Sequence, residues 1–170
     1  MAFTLFSFVD LYARVLDTAA HLLTKAADHA AEIGVSEADM LQWRLIDDMQ
    51  PLGFQIMVVC NFSCQWPARA AGLPPPEDIG ADLTLAAFQT AIIVAKAYLA
   101  ALTPDQFAER DDVPLTISLG GGQLEPTLTV ERWLGGFATT SLYFHLSTAY
   151  AILRARGVPI GKPDLFAGGL

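Results

Sequence analysis

His145 lies in the middle of an apolar helical run, Trp133 to Arg156, within Tyr143-Phe144-His145-Leu146-Ser147-Thr148-Ala149-Tyr150. A neutral imidazole in that setting has the chemistry to bind a metal ion or to shuttle a proton. A metal site needs at least two more converging ligands. One turn away stand Ser141 and Ala149, so no His-x3-His pair exists. Three readings stay open: a packed, hydrogen-bonded histidine, a pocket residue without metal, and a ligand. Tyr143, Ser147 and Tyr150 share the segment. Ser147 has no nucleophile elbow around it, and no Ser-His-Asp order is recognisable.

The other polar groups with chemical reach precede or lie within an apolar stretch further upstream. Asp47 and Asp48 stand just before Pro51. Beside a restarted helix they would be stabilised by unpaired N–H groups; the functional alternative aims a carboxylate into the bundle. Gln55 is seven residues beyond Asp48 and roughly shares its face if the helix is continuous. Asn61 is a further polar group among apolar neighbours, of the kind that bonds across a bundle. His21 and His29 are eight apart, about 12 Å along a helix axis, and cannot share an ion from one helix. They read as surface or interface histidines, with His21 reaching His145 across the bundle as the alternative. Cys60 and Cys64 read as buried thiols, since an i,i+4 helical pair rarely meets disulfide geometry and no basic neighbour activates them. A Cys-x3-Cys pair alone is a poor zinc signal. Gly120-Gly121-Gly122 has no Lys-Ser/Thr follow-up and reads as a turn.

These residues need helices to position them. Thr4 to Ile33 reads as one helix, with Leu5, Val9, Tyr12, Leu16, Ala19 and Leu23 recurring at threes and fours and Gly34 closing it. Ser36 caps a second element running from Glu37 toward Ile46. Pro51 interrupts it and is expected at an early position of the next helix, Leu52 to Ala71. Trp66-Pro67 is expected to kink that helix. Gly72-Leu73-Pro74-Pro75-Pro76 stops it and continues as a stiff extended connection. Leu83 to Leu102 follows, with Leu85, Phe88, Ile92, Ala95 and Leu99 on one stripe and Asp82 or Thr84 as cap. Thr103-Pro104-Asp105-Gln106 starts a short extra turn. The period then changes to two: Val113 to Leu119 and Gln123 to Val130 flank the three glycines as a β-hairpin. Pro114 and Pro126 mark it as peripheral. The last helix starts near Thr129 or Val130, passes Gly135-Gly136, where close contact or a bend is expected, and ends before Gly157.

At 170 residues one domain, 1–170, is expected. Apolar residues make up 53% and charged residues 16%, rich for a monomer of this size, which points to a subunit interface with a pocket absorbing a little more. The net charge is −8 and no basic patch occurs, which argues against nucleic acid and anionic membrane surfaces as partners. Met1 to Val9 is apolar but lacks a positive n-region, so it is not read as a signal peptide. No apolar run reaches membrane-spanning length. The expected location is the cytoplasm.

Tyr143-Phe144-His145, Thr148 to Arg154 and Gly157-Val158-Pro159-Ile160-Gly161-Lys162 together resemble the DUF1993 family of uncharacterised bacterial proteins, which is similar to the DinB/YfiT-like metalloenzyme superfamily. Asp48-Met49, Pro51-Leu52, Gln55 and Leu119-Gly120-Gly121 also match. The resemblance implies an all-α, up-down-down-up four-helix bundle with a small β-hairpin inserted before the last helix, commonly dimeric. Metal-binding members present three histidines, two spaced by four on the last helix. His145 takes one such place, but Ala149 breaks the pair, and Gln55 or Asn61 stands where the other histidine is expected. A divalent metal (Ni, Zn, Mn or Fe) therefore has His145 as its sole weak ligand.

Two functional readings follow. In the first, a cytosolic homodimeric bundle with a degenerate pocket has a structural, stress-related or small-molecule-binding role, its pocket drawn from His145, Asp48, Gln55, Tyr143 and Asn61. In the second, a metal-dependent or acid/base enzyme, hydrolase- or thiol-transferase-like, uses Asp48, Gln55 and His145, with Tyr143 or Tyr150. They separate on whether Asp48 and His145 converge to about 3–4 Å or share one water or ion.

Overall fold

A computed structural model describes residues 4–169, so the first three residues of the apolar N-terminal stretch and Leu170 lie outside the described part. Helix α1 spans Ser7–Glu32. Its apolar positions recur every three or four residues, and Tyr12, Leu16, Ala19, Leu22, Leu23 and Ala26 are fully buried. Gly34, at φ +72°, ends it. That left-handed turn lets Val35 N–H reach Ala30 O at 2.8 Å and Gly34 N–H reach Ala31 O at 3.2 Å.

Helix α2, Glu37–Leu41, is capped as expected by Ser36 Oγ, which accepts from Asp39 N–H at 3.1 Å. It stops short of Ile46. Trp43 turns into the core, its carbonyl accepts from Leu52 N–H at 2.9 Å, and Arg44 donates to Met49 O at 2.8 Å. Burying the indole leaves Leu45 and Ile46 outside, 44% and 59% exposed. Pro51 is the extended residue just before α3, Leu52–Ala70, rather than a member of its first turn, and no side chain caps that helix. Asp47 and Asp48 are exposed in the loop ahead of it.

Helix α3 is buried on nearly every face, and it continues through Pro67. Proline removes the hydrogen bond to Ser63 O, at a cost of about 3 kcal/mol in a helix interior. The bonding resumes at once, with Ala71 N–H to Pro67 O at 2.8 Å. Burial of Trp66 and its aromatic neighbours offsets that loss.

The link from α3 to α4, Leu85–Ala100, decides the topology. It runs back along α3. Gln65 binds Pro76 O and Asp78, Asn61 binds Ile79, and Gly53 packs against Ala81 O. The chain thus returns to the start of α3 before α4 begins, capped by Thr84 Oγ1 from Ala87 N–H at 3.2 Å. Helices α3 and α4 are parallel for that reason. Helix α1 is antiparallel to α4, because Asp17 pairs with Lys96 while Phe6 meets Phe107 beyond the end of α4. Helix α6, Thr139–Ala155, is parallel to α1 and antiparallel to α3. Tyr12 meets Thr139 and His29 meets Arg156 O; Gln55 meets His145 and Trp66 meets Trp133. The result is the up-down-down-up bundle. Helices α1 and α3 form its centre, and α4 and α6 flank them.

Between α4 and α6 lie a 3-10 turn, Pro104–Phe107, and the hairpin of β1, Pro114–Thr116, with β2, Thr127–Thr129. The strands are antiparallel, pairing Leu115 with Leu128. They are shorter than the alternation suggests, with Leu119 and Leu124 bridging nearer the glycine turn. Trp133 Nε1 donates to Leu115 O at 2.7 Å and fastens the hairpin to the bundle.

The last helix is composite. A turn of α-helix, α5 (Val130–Arg132), leads into a π-helical segment, Trp133–Ala138, then α6. Gly135-Gly136 lies in that segment, and Gly135 faces Phe8. Thr139 Oγ1 donates to Leu134 O at 2.7 Å, and the buried Tyr12 hydroxyl bonds Thr139 Oγ1 at 2.9 Å. Leu134 O thus takes the wide-turn bond from Thr139 N–H together with the Thr139 hydroxyl, which Tyr12 holds in place.

Candidate functional site

Gln55 and His145 meet across the α3–α6 contact. His145 Nδ1–H donates to Gln55 Oε1 at 2.7 Å, and Gln55 Nε2 donates to Gln50 O at 2.9 Å. The second bond fixes which way the carboxamide points, and so fixes the proton on Nδ1. Gln55 is 2% exposed, and His145 is partly buried between the rings of Phe54 and Phe144. Burial lowers the His145 pKa below its ordinary value, so the ring is a neutral Nδ1–H tautomer near pH 7. Its Nε2 has no hydrogen bond among the described residues.

The remaining sequence candidates are dispersed. Asp48 is exposed in the loop before α3, and its carboxylate makes no hydrogen bond with His145 among the described residues. Asn61 is a clamp: its side chain accepts from Ile79 N–H at 3.0 Å and donates to Ile79 O at 3.2 Å. Tyr143 turns to the opposite flank of α6, into a groove with α1. Ser147 is exposed and Tyr150 half-buried. His21 does not reach His145; its Nε2 bonds Asp164 at 2.7 Å. That bond, with help from Gly161 N–H, holds the Asp164 carboxyl below the usual range. His29 bonds Arg156 O at 3.1 Å. Cys60 and Cys64 are free, buried thiols, each pushed up to about 12 by burial.

One concavity went unnoticed in the sequence. It is a groove of about 620 Å³ between α1, α6 and the C-terminal segment. Phe6, Leu11, Val15, Leu146, Leu165 and Phe166 supply apolar walls, and Tyr143, Ser7, Thr18 and the Asp10–Arg14 pair supply polar atoms. The third wall is a 3-10 turn, Lys162–Phe166, held on α1 by Asp164 to His21 and by Gly168 N–H to Thr18 Oγ1 at 3.3 Å. Pro163-Asp164 after Gly161 was the available signal: proline in the first turn, with Asp164 Oδ2 accepting from Gly161 N–H at 2.7 Å.

The three-histidine metal site implied by the superfamily resemblance does not fit these residues. Gln55 is bonded at both ends, and Ala149 follows His145 by one turn. Among the described residues no group of three or more His, Cys, Asp or Glu is placed to hold an ion.

This architecture is that of a DinB-like bundle. A crystal structure of a DinB family member protein from Shewanella denitrificans matches it with a TM-score of 0.83 and 28% sequence identity, over 95% of this chain and 90% of that one. The domain of unknown function DUF1993 matches residues 6–166, and the chain belongs to that family. No curated protein matches the chain. Among the described residues, no helix is long and apolar enough to cross a membrane.

Proposed function

We propose that this DUF1993 protein is a homodimeric, metal-independent binding protein that takes an apolar small molecule into the α1–α6 groove. The observation that carries the reading is the engagement of both ends of Gln55, which leaves His145 without a second ligand or base beside it. Gln55 accepts from the imidazole and donates to Gln50 O, so its amide is committed inside the protein. No carboxylate joins His145 to make a base pair or a ligand set.

The groove supplies the binding half. Its volume, about 620 Å³, lies within the range of small-molecule sites, about 300–1,000 Å³. Its walls are largely apolar, with few polar atoms to orient a ligand, as such sites require. An apolar reporter dye such as anilinonaphthalene sulfonate tests this. Wild-type protein should bind one dye per chain with saturable fluorescence. Leu11→Trp, which fills a partly buried groove position, should abolish that signal with the melting temperature unchanged. Saturable binding that survives Leu11→Trp would place the ligand elsewhere.

An acid/base enzyme is the second reading, and one observation favours it. Gln55 holds the His145 Nδ1 proton and burial keeps the ring neutral, which leaves the Nε2 lone pair able to take a proton. It requires turnover of an ester or thiol-transfer substrate that is lost in His145→Gln.

A further inference from the structure

We infer that the outward face of α4 is a self-pairing surface on which a second copy of this chain seats its own α4. This rests on the dimeric part of the function proposed above and gives it a location. Helix α4 is apolar on both sides. Leu85, Phe88, Ile92, Ala95 and Leu99 face the core and are buried. On the other side Ala86, Thr90, Ile93, Ala97 and Ala100 are exposed at spacings of four, three, four and three. That is the spacing of a helix–helix seam. Thr90 donates its hydroxyl to Ala86 O at 2.9 Å, so covering it leaves no unpaired donor.

Ile93 and Val94 are 68% and 62% exposed, and Ile93 is the most exposed large apolar side chain among the described residues. They stand at the middle of Leu85–Ala100, with small residues towards both ends. In a two-fold interface the same patch meets itself, so Ile93 and Val94 would pack against their own copies while the alanines let the backbones approach.

Charge selects a second copy as the occupant. The chain carries −8, so two copies repel over most of their surface. The α4 sequence has a single charge, Lys96, and that ammonium is paired with Asp17 of its own bundle. This face is therefore one where two identical acidic chains meet without opposing like charges. It also accounts for the excess of apolar residues.

Sedimentation equilibrium at low micromolar concentration tests the inference, using the full chain, with circular dichroism and melting temperature as fold controls. Wild type should sediment at twice the chain mass. The double variant Ile93→Glu, Val94→Glu should be a monomer with an unchanged spectrum, its dimer dissociation constant weakened by about a hundredfold or more through like-charge repulsion at the two-fold axis. Phe144→Glu, on a different exposed patch, should remain dimeric. Should the glutamates impair folding, Ile93→Cys gives a second readout: mild oxidation should yield a covalent dimer within minutes, while Leu124→Cys on the hairpin stays monomeric. A wild-type dimer that survives the glutamates and fails to cross-link at Ile93 would overturn the α4 surface and leave the dimeric reading standing. A wild-type monomer throughout would overturn both.

Discussion

The carboxamide of Gln55 sets the character of the site more than the imidazole it holds. A carboxamide both donates and accepts, and here each half has a partner within the protein. Gln55→Ala leaves Gln50 O and His145 Nδ1–H without a partner, so a loss of about 1–3 kcal/mol in urea unfolding is expected. Gln55→Glu places a carboxylate beside the ring and should raise the His145 pKa, read directly by NMR titration of the imidazole. The wild-type ring has the opposite bias. Its folded pKa is below the unfolded value of about 6.5, so the unfolded chain binds the proton first as pH falls. This contribution is full above about pH 6.5 and is lost as pH falls through the lowered folded value. His145→Gln should flatten that part of the stability–pH profile; an unchanged profile would show that His145 does not titrate differently in the folded state. Histidine and glutamine were both legible as candidates in the sequence. Their pairing was not, because ninety residues separate them and only the antiparallel packing of α3 on α6 brings them together.

At the scale of elements, the return segment along α3 is the part whose role the sequence left open. The proline run announced a stiff connection, but not that it would retrace the helix. That follows from three side contacts at Gln65, Asn61 and Gly53. A Cβ at Gly53 would lie 2.9 Å from Ala81 O, closer than real Cβ atoms stand to backbone. Gly53→Ala should therefore destabilise the fold by about 1–3 kcal/mol by forcing the crossover outward, measured as a drop in the chemical unfolding midpoint. Asn61→Ala removes both bonds to Ile79 and should speed amide exchange across residues 76–82 with little change in α1. Uniform loss of protection would instead make Asn61 a determinant of the whole bundle. Helix starts at Ser36 and Thr84 were legible because caps are local chemistry. The early end of α2 was not, because it depends on burying Trp43 against His29, a contact made only in the folded chain. The π segment was hidden for the same reason: the residues that satisfy Leu134 O are Thr139, five positions on, and Tyr12, from another helix.

For the whole molecule, a DinB-like bundle of the DUF1993 family keeps the helical frame while its polar positions serve packing. Asn61 and Gln55 bond backbone or neighbour, His21 and His29 tie α1 to the chain's C-terminal end, and the thiols are buried. The fold was legible because four apolar periodicities, one alternating hairpin and their terminators are each local signals. The groove was not, because its walls come from α1, α6 and the C-terminal turn, and only the assembled bundle places them together. Metal titration tests the central claim most directly. Protein purified without a metal-affinity step should contain no stoichiometric Ni, Zn, Mn or Fe, and adding each ion should leave the melting temperature unchanged in wild type and in His145→Ala alike. One ion per chain, with a rise in melting temperature that His145→Ala removes, would contradict the metal-independent binding role proposed for this bundle.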